Sequence, residues 1–408
     1  MTWTPPDRPA WVERLNAYGE AVGGADQLVS LDAEQLLATA RASVGLDDFG
    51  GEGWRVHYDV FLNSLNTESD LHLSGRILAR TELLRTLRNR LRLAELWKQR
   101  PSILEEPLSE PVFIVGGART GTSILFELMA SDPLTRSPAM WEMQHPVEAV
   151  RGEDWSEISD RVETFHHFLQ PEYATMHANS GHLPNECIFI TMHEFLSDVW
   201  GSQYGVPGYQ RHLARADHRP AYRYHQRFLQ TLQQRDSCRR WLLKAPSHQS
   251  QLRALFDVYP DARIIRTHRD PLKSFPSLLD LLGTLLWMRC NRVDMDLAAK
   301  VIPASFAAMF RQEIDDRASG ALPDERFVDV HFADIVRDPV AAVGRVYEQL
   351  GWDYPQSVRE AIGCYARAKP PGAQGVHRYS LEGTGLDAAE ETERFRFYMD
   401  HYGIASEG

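Results

Sequence analysis

The sequence predicts an α/β protein in which helices flank a central parallel sheet in three layers, with a helical region before it and a helical insertion over its active face. Three observations lead there. Short apolar runs rich in β-branched residues, "PVFIVGG", "RWLLKAP", "ARIIRTHR" and "RFVDVHF", each lead into a helix-like stretch. Strands alternating with helices imply parallel pairing covered on both faces. The turn after the first run, "GGARTGTS" (116–123), has nearly the spacing of a P-loop, and 43% hydrophobic content over 408 residues is enough for an ordinary packed core.

From about Leu31 to Arg100 the pattern is helical, with apolar residues at spacings of three and four, most clearly in "SGRILARTELLRTLRNRLRLAELWKQ". The arginines of that helix read as a solvated face rather than a nucleic-acid stripe. The proline-bounded "RPSILEEPLSEP" then serves as a linker, so residues 1–108 form an N-terminal helical region and 109–408 the α/β domain. Within the latter, 141–239 is helical and rich in His and aromatic residues. It reads as an insertion where acceptor specificity is set. Asp270-Pro271 and Asp338-Pro339 each supply a cap carboxylate and a first-turn proline, and Gly351 suits a helix C-cap.

The formal net charge of -12 argues against general affinity for nucleic acid or anionic membrane, so any anion site must be built locally. Four scattered cysteines, Cys187, Cys238, Cys290 and Cys364, show no paired spacing and favour a reducing cytoplasm. No apolar run approaches the ~18 residues a membrane span needs. The oligomeric state, homo-oligomer included, is left open.

A glycine-rich turn between strand and helix presents backbone N–H groups at a positive helix end and is suited to an anion. In a Walker loop a lysine reaches the β- and γ-phosphates and the next hydroxyl holds magnesium. Here Thr122 takes the lysine's place and the nearest cation is Arg119, inside the loop. A nucleotide kinase or NTPase would need that lysine. A second anion site is offered by Arg269 at a strand end and Ser277 about two turns into the next helix.

Taken together, "GGARTGTS", "WLLKAPSH", "RTHRDPLKSFPS", "VHFADIVRDPVAAVGRVYEQLG" and the late "HRYSLEGTGL" resemble, in order and spacing, the sulfotransferases that use 3′-phosphoadenosine 5′-phosphosulfate (PAPS). The bacterial branch related to the tyrosylprotein and Golgi-type enzymes is the nearest match, over roughly residues 111 to 400. The resemblance implies that Arg119, Thr120, Gly121, Thr122 and Ser123 hold the 5′-phosphosulfate and that Arg269 and Ser277 hold the 3′-phosphate. Arg378 and Tyr379 would belong to a loop closing over the nucleotide. PAPS would be the co-substrate, PAP the product, and no metal would be needed, because this donor has no γ-phosphate. A non-catalytic nucleotide-binding relative is the remaining alternative; retention of both Arg269 and Ser277 weighs against it.

The acceptor, a hydroxyl or less readily an amine of a small or lipid-like molecule, needs a base. The resemblance points to Glu142 in "SPAMWEMQHP" and to His248 in "KAPSHQS", with Lys244 as a contact to the leaving group. Pro246 stands where the cytosolic small-molecule enzymes keep their histidine. His166, His167, His177, His182 and His193 lack the spacing of a zinc site and are expected to line or buttress the acceptor pocket. Glu186, beside an apolar run in "LPNECIFI", either faces that pocket or lies on the surface.

Overall fold

The structure, a computed structural model, describes residues 3–51, 53–176, 179–236, 240–369 and 384–407. Its centre is a five-stranded, wholly parallel sheet of β1 (Val112–Gly116), β2 (Thr135–Arg136), β3 (Arg240–Lys244), β4 (Arg263–His268) and β5 (Phe327–His331), in the order β2-β3-β1-β4-β5. β1 is buried throughout. In register, Phe113 faces Leu243 on one side and Ile264 on the other. The two-residue alternation of strands sends Phe113, Val115, Leu243 and Ile264 into one core and Val112, Ile114, Leu242 and Ile265 into the other. The strand-helix alternation of the sequence therefore becomes a sheet with both faces covered.

The chain leaves β1 toward one edge of the sheet and returns through β4 on β1's other side. The carboxyl ends of β1, β3 and β4 consequently open on one crevice, the place where ligands bind in such sheets. The expected caps hold. The carboxylate of Asp270 accepts from the N–H of Leu272 at 2.9 Å, that of Asp338 from Ala341 at 3.0 Å, and Gly351 closes its helix in the left-handed region.

Around the sheet lie elements the periodicity did not single out: the two-residue β2, the helix Met295–Ala318 and the helix Ala388–Tyr402. The second is fixed by a buried ion pair, in which Arg266 of β4 donates through Nε to both carboxylate oxygens of Glu313 at 3.0 Å.

The N-terminal helices, of which Trp54–Thr67 and Leu73–Gln99 are the longest, share a core with the insertion. Phe61 packs with Phe195, Trp200, Tyr204 and Tyr209, with ring centroids 4.8 to 6.5 Å apart. Most of the insertion's aromatic residues are thus spent on packing. The solvated face expected for the long basic helix needs correction at Arg90, which is 1% exposed. Its guanidinium donates to Glu194 Oε1 and the carbonyls of His193 and Gly50, and lies over Trp54 and Tyr224. Burying an arginine is sustainable only with such partners, and they tie the N-terminal helices to the insertion. No helix among the described residues is long and apolar enough to cross a membrane.

Candidate active site

The glycine-rich turn joins β1 to the helix Thr122–Ala130. Arg119 and Gly121 adopt positive φ, 67° and 93°, bending the backbone tightly around the helix start. Only glycine fits at 121, since a Cβ there would approach Phe332 to 2.6 Å. The Thr120 hydroxyl donates to the carbonyl of Gly117 at 2.6 Å and lies 2.7 Å from Thr267 Oγ1 of β4, anchoring the turn to the neighbouring strand. Thr122 is buried, 3% exposed, and has no length to reach a ligand.

The cation absent from position 122 arrives from the adjacent strand. Lys244, the last residue of β3, sends Nζ to within 3.1 Å of Ser123 Oγ in the first turn of the loop's helix and 2.5 Å of Glu186 Oε1. Its side chain is 3% exposed and passes 5.9 Å from the Phe126 ring. A lysine this buried needs such a carboxylate partner to offset its desolvation. Glu186 belongs to the insertion, and the N–H of the next residue, Cys187, donates to the Lys244 carbonyl at 2.9 Å. Insertion and sheet meet at this ammonium.

The two predicted anion sites are joined. Arg119 donates from Nε to Ser277 Oγ at 2.7 Å, and Arg269 donates from Nη1 to the Arg119 carbonyl at 3.1 Å. Arg269 lies over the Phe332 ring at 4.1 Å and pairs with the Glu407 carboxylate at 2.9 Å. The N–H of Glu407 in turn donates to Asp270 Oδ2. Two arginines, a helix N-terminus and a buried lysine thus line one crevice, an arrangement that fits a donor bearing two separated anionic groups. Residues 111–356, more than half of the chain, match the sulfotransferase family.

The chain belongs to the sulfotransferase family. It is 24% identical over 265 residues to a sulfotransferase of Mycobacterium bovis named for omega-hydroxy-beta-dihydromenaquinone-9, and equally to the Mycobacterium tuberculosis protein of that name. Those alignments take in 59% of this chain and 62% of the relatives' length. Among solved structures, the sulfotransferase STF9 of Mycobacterium avium superposes with a TM-score of 0.81 at 26% identity, covering 92% of this chain and 98% of that one. STF1 of Mycobacterium tuberculosis gives 0.76 at 28% identity, covering 89% and 98%.

Within this chain the crevice brings together Arg119, Ser123, Lys244, Arg269 and Ser277. Glu142 and His248 are placed differently. Arg136 forks the Glu142 carboxylate, Nη1 to Oε2 at 2.9 Å and Nη2 to Oε1 at 2.6 Å, and the N–H of Ala139 donates to Oε2 as well. At 4% exposure, Glu142 caps its own helix and neutralises a buried guanidinium. His248 is 3% exposed, accepts or donates at Nδ1 to the Tyr222 hydroxyl at 2.8 Å, and stands edge-on to Phe113 at 5.2 Å. It lies on the face of the sheet opposite the one where Lys244 meets Ser123. Burial pushes its pKa down to about 3.

Of the other histidines, His193 is buried against Tyr224 with its pKa lowered to about 3 by burial, His182 is exposed, and His166 lines a cavity between the insertion, the helix Leu73–Gln99 and residues 285–289. Arg378, Tyr379 and His177 lie outside the described residues. Glu186 is the residue whose place at the site the sequence left undecided. Only its pairing with Lys244, fixed in three dimensions, singles it out from other acids beside apolar runs.

Proposed function

We propose that this protein transfers the sulfuryl group of PAPS to the hydroxyl of a small or lipid-like acceptor, in the cytoplasm, with PAP as the second product. The observation that carries this reading is the Lys244 ammonium, held within reach of both Ser123 at the anion loop and the Glu186 carboxylate. A cation at the departing phosphate and a carboxylate at the incoming hydroxyl are what in-line transfer requires. The S–O bond to the bridging oxygen breaks as the S–O bond to the acceptor forms, and the acceptor's proton goes to Glu186.

Lys244 and Arg119 offset the charge that builds on the departing phosphate. Arg269 and Ser277 take the 3′-phosphate, with Thr120, Gly121, Thr122 and Ser123 shaping the turn around the 5′-phosphosulfate. We assign the base to Glu186 in preference to Glu142 and His248, because Arg136 occupies both oxygens of Glu142, while His248, lowered to about 3 by burial, is a weak proton acceptor and lies on the other side of the sheet. The relatives' names support a lipid-like acceptor as the first class to try. Incubation of the enzyme with PAPS and a cell-metabolite extract, followed by mass spectrometry, should show an organic species gaining one SO3. No such species, and no PAP released above background, would reject the activity.

A further inference from the structure

Phe332 touches both predicted anion sites of the crevice. One face of its ring lies under the Arg269 guanidinium, 4.1 Å from the ring centroid. Its edge meets the anion loop, where a Cβ on Gly121 would come within 2.6 Å of Cδ2 and 3.3 Å of Cε2. The sheet register sets this placement. His268, the last residue of β4, pairs with His331, the last of β5, so Arg269 and Phe332 leave neighbouring parallel strands side by side at their carboxyl ends.

The ring is not spent on the core. Phe332 is half-buried, and among the described residues it takes no part in the apolar cores on the two faces of the sheet, whereas Val330 and Ile335 on either side of it do. An aromatic face set against a guanidinium attracts it through the negative charge of the π-cloud, and more strongly as water is displaced. The contact also fixes the plane of the guanidinium. A planar fork of N–H donors grips a phosphate in one orientation, so whatever holds that plane contributes to selection.

Arg269 is held by the Phe332 ring, by the Arg119 carbonyl at 3.1 Å from Nη1, and by the Glu407 carboxylate at 2.9 Å from both Nε and Nη2. A 3′-phosphate needs the same N–H donors that Glu407 takes, so its arrival displaces the carboxylate. The ring and the carbonyl are the contacts that remain. Both lead back to the anion loop, since the Arg119 carbonyl belongs to it and the ring edge lies against Gly121. The aim of the guanidinium at a 3′-phosphate is thereby tied to the loop assigned to the 5′-phosphosulfate.

We infer that Phe332 is a positioning residue of the donor site: it holds the Arg269 guanidinium in plane and so makes the site select nucleotides that bear a 3′-phosphate. The inference rests on the sulfuryl-transfer reading and names a residue that sets its donor selectivity. Calorimetric titration of the full chain with 3′,5′-ADP and with 5′-AMP tests it. Phe332→Leu removes the ring, whereas Phe332→pentafluorophenylalanine keeps its shape and reverses its charge distribution. Each should weaken 3′,5′-ADP by about fivefold or more and leave 5′-AMP within about twofold of the unsubstituted chain, while Phe332→Tyr should retain the preference. Added to Arg269→Ala, Phe332→Leu should change 3′,5′-ADP affinity by less than about twofold, because the group it positions is gone. The fluorinated ring preserves packing and decides the matter if Phe332→Leu does not fold. Unchanged 3′,5′-ADP affinity with the fluorinated ring, equal weakening of both nucleotides, or the same loss in the absence of Arg269 overturns the inference. Failure of the unsubstituted chain to bind 3′,5′-ADP is a different result, which would reject the donor reading and the inference with it.

Discussion

The carboxylate of Glu407 forms a bidentate pair with Arg269, with Oε2 at 2.9 Å from Nη2 and Oε1 at 2.9 Å from Nε. A C-terminal acid therefore occupies the guanidinium assigned to the donor's 3′-phosphate. Phosphate and carboxylate compete for the same fork of donors. Glu407 is 36% exposed in its side chain, so the pair is worth only about 0.5–1 kcal/mol after screening. The substitution Glu407→Gln should accordingly tighten 3′,5′-ADP binding by about two- to fivefold, measured by calorimetry at low salt, with the gain shrinking as salt rises. Weaker binding in that variant would mean that Glu407 supports the site instead of competing for it.

Glu186→Gln keeps the shape of the side chain and removes the proton acceptor. Loss of a general base costs typically 10²–10⁴ in rate. With an acceptor in hand, kcat should fall by about that factor while 3′,5′-ADP affinity stays close to that of the wild type. Glu142→Gln should instead lower the thermal midpoint, since it leaves the buried guanidinium of Arg136 underpaired, a loss of about 3–5 kcal/mol for a fully buried pair. If Glu142→Gln abolishes turnover in a fully folded protein and Glu186→Gln does not, the two roles are reversed.

Gly121 is a backbone requirement of the anion loop. Gly121→Ala combines a φ of 93° with a Cβ 2.6 Å from the Phe332 ring. Strain of about 1–3 kcal/mol at such a position should appear as weaker 3′,5′-ADP binding together with a lowered melting temperature. Unchanged values for both would show that the turn relaxes freely.

The pH dependence of stability follows from the buried histidines. Burial pushes His193 and His248 down to about 3 from the usual 6.5. Both are neutral in the folded chain through that interval, while the unfolded chain takes up protons below 6.5. Stability is therefore whole above pH 6.5 and falls as pH drops toward 3, each histidine contributing up to about 1.4 kcal/mol per pH unit. Denaturant midpoints between pH 7 and 4.5 should show the decline, and His248→Gln should flatten it. A midpoint that rises on acidification would contradict this assignment.

Much of the fold was legible because it is written locally. The β-branched runs became β1, β3, β4 and β5, and the Asp-Pro pairs capped the helices they open. β2 was not, being two residues long and fixed by its pairing with Arg240 and Trp241. The helix Met295–Ala318 carries Pro303 and is held by Glu313 to a strand partner distant in sequence, so local patterning understates it. At the site, the anion loop and the Arg269–Ser277 element follow from spacing along one βα turn each. Glu186 and Glu407 do not, since each acquires meaning only from a cation brought to it by folding, Lys244 or Arg269. Glu142 shows the converse, for its neighbourhood in sequence gives no sign that Arg136 takes up both its oxygens.

The central claim is that the crevice of Arg119, Lys244, Arg269 and Ser277 is a site for a 3′-phosphorylated adenosine donor. Calorimetric titration with 3′,5′-ADP in the presence of EDTA tests it most directly. The account predicts saturable one-to-one binding without metal, weakened at least tenfold by Arg119→Ala and by Arg269→Ala. No binding of 3′,5′-ADP, with tight binding of ATP that depends on magnesium, would contradict it.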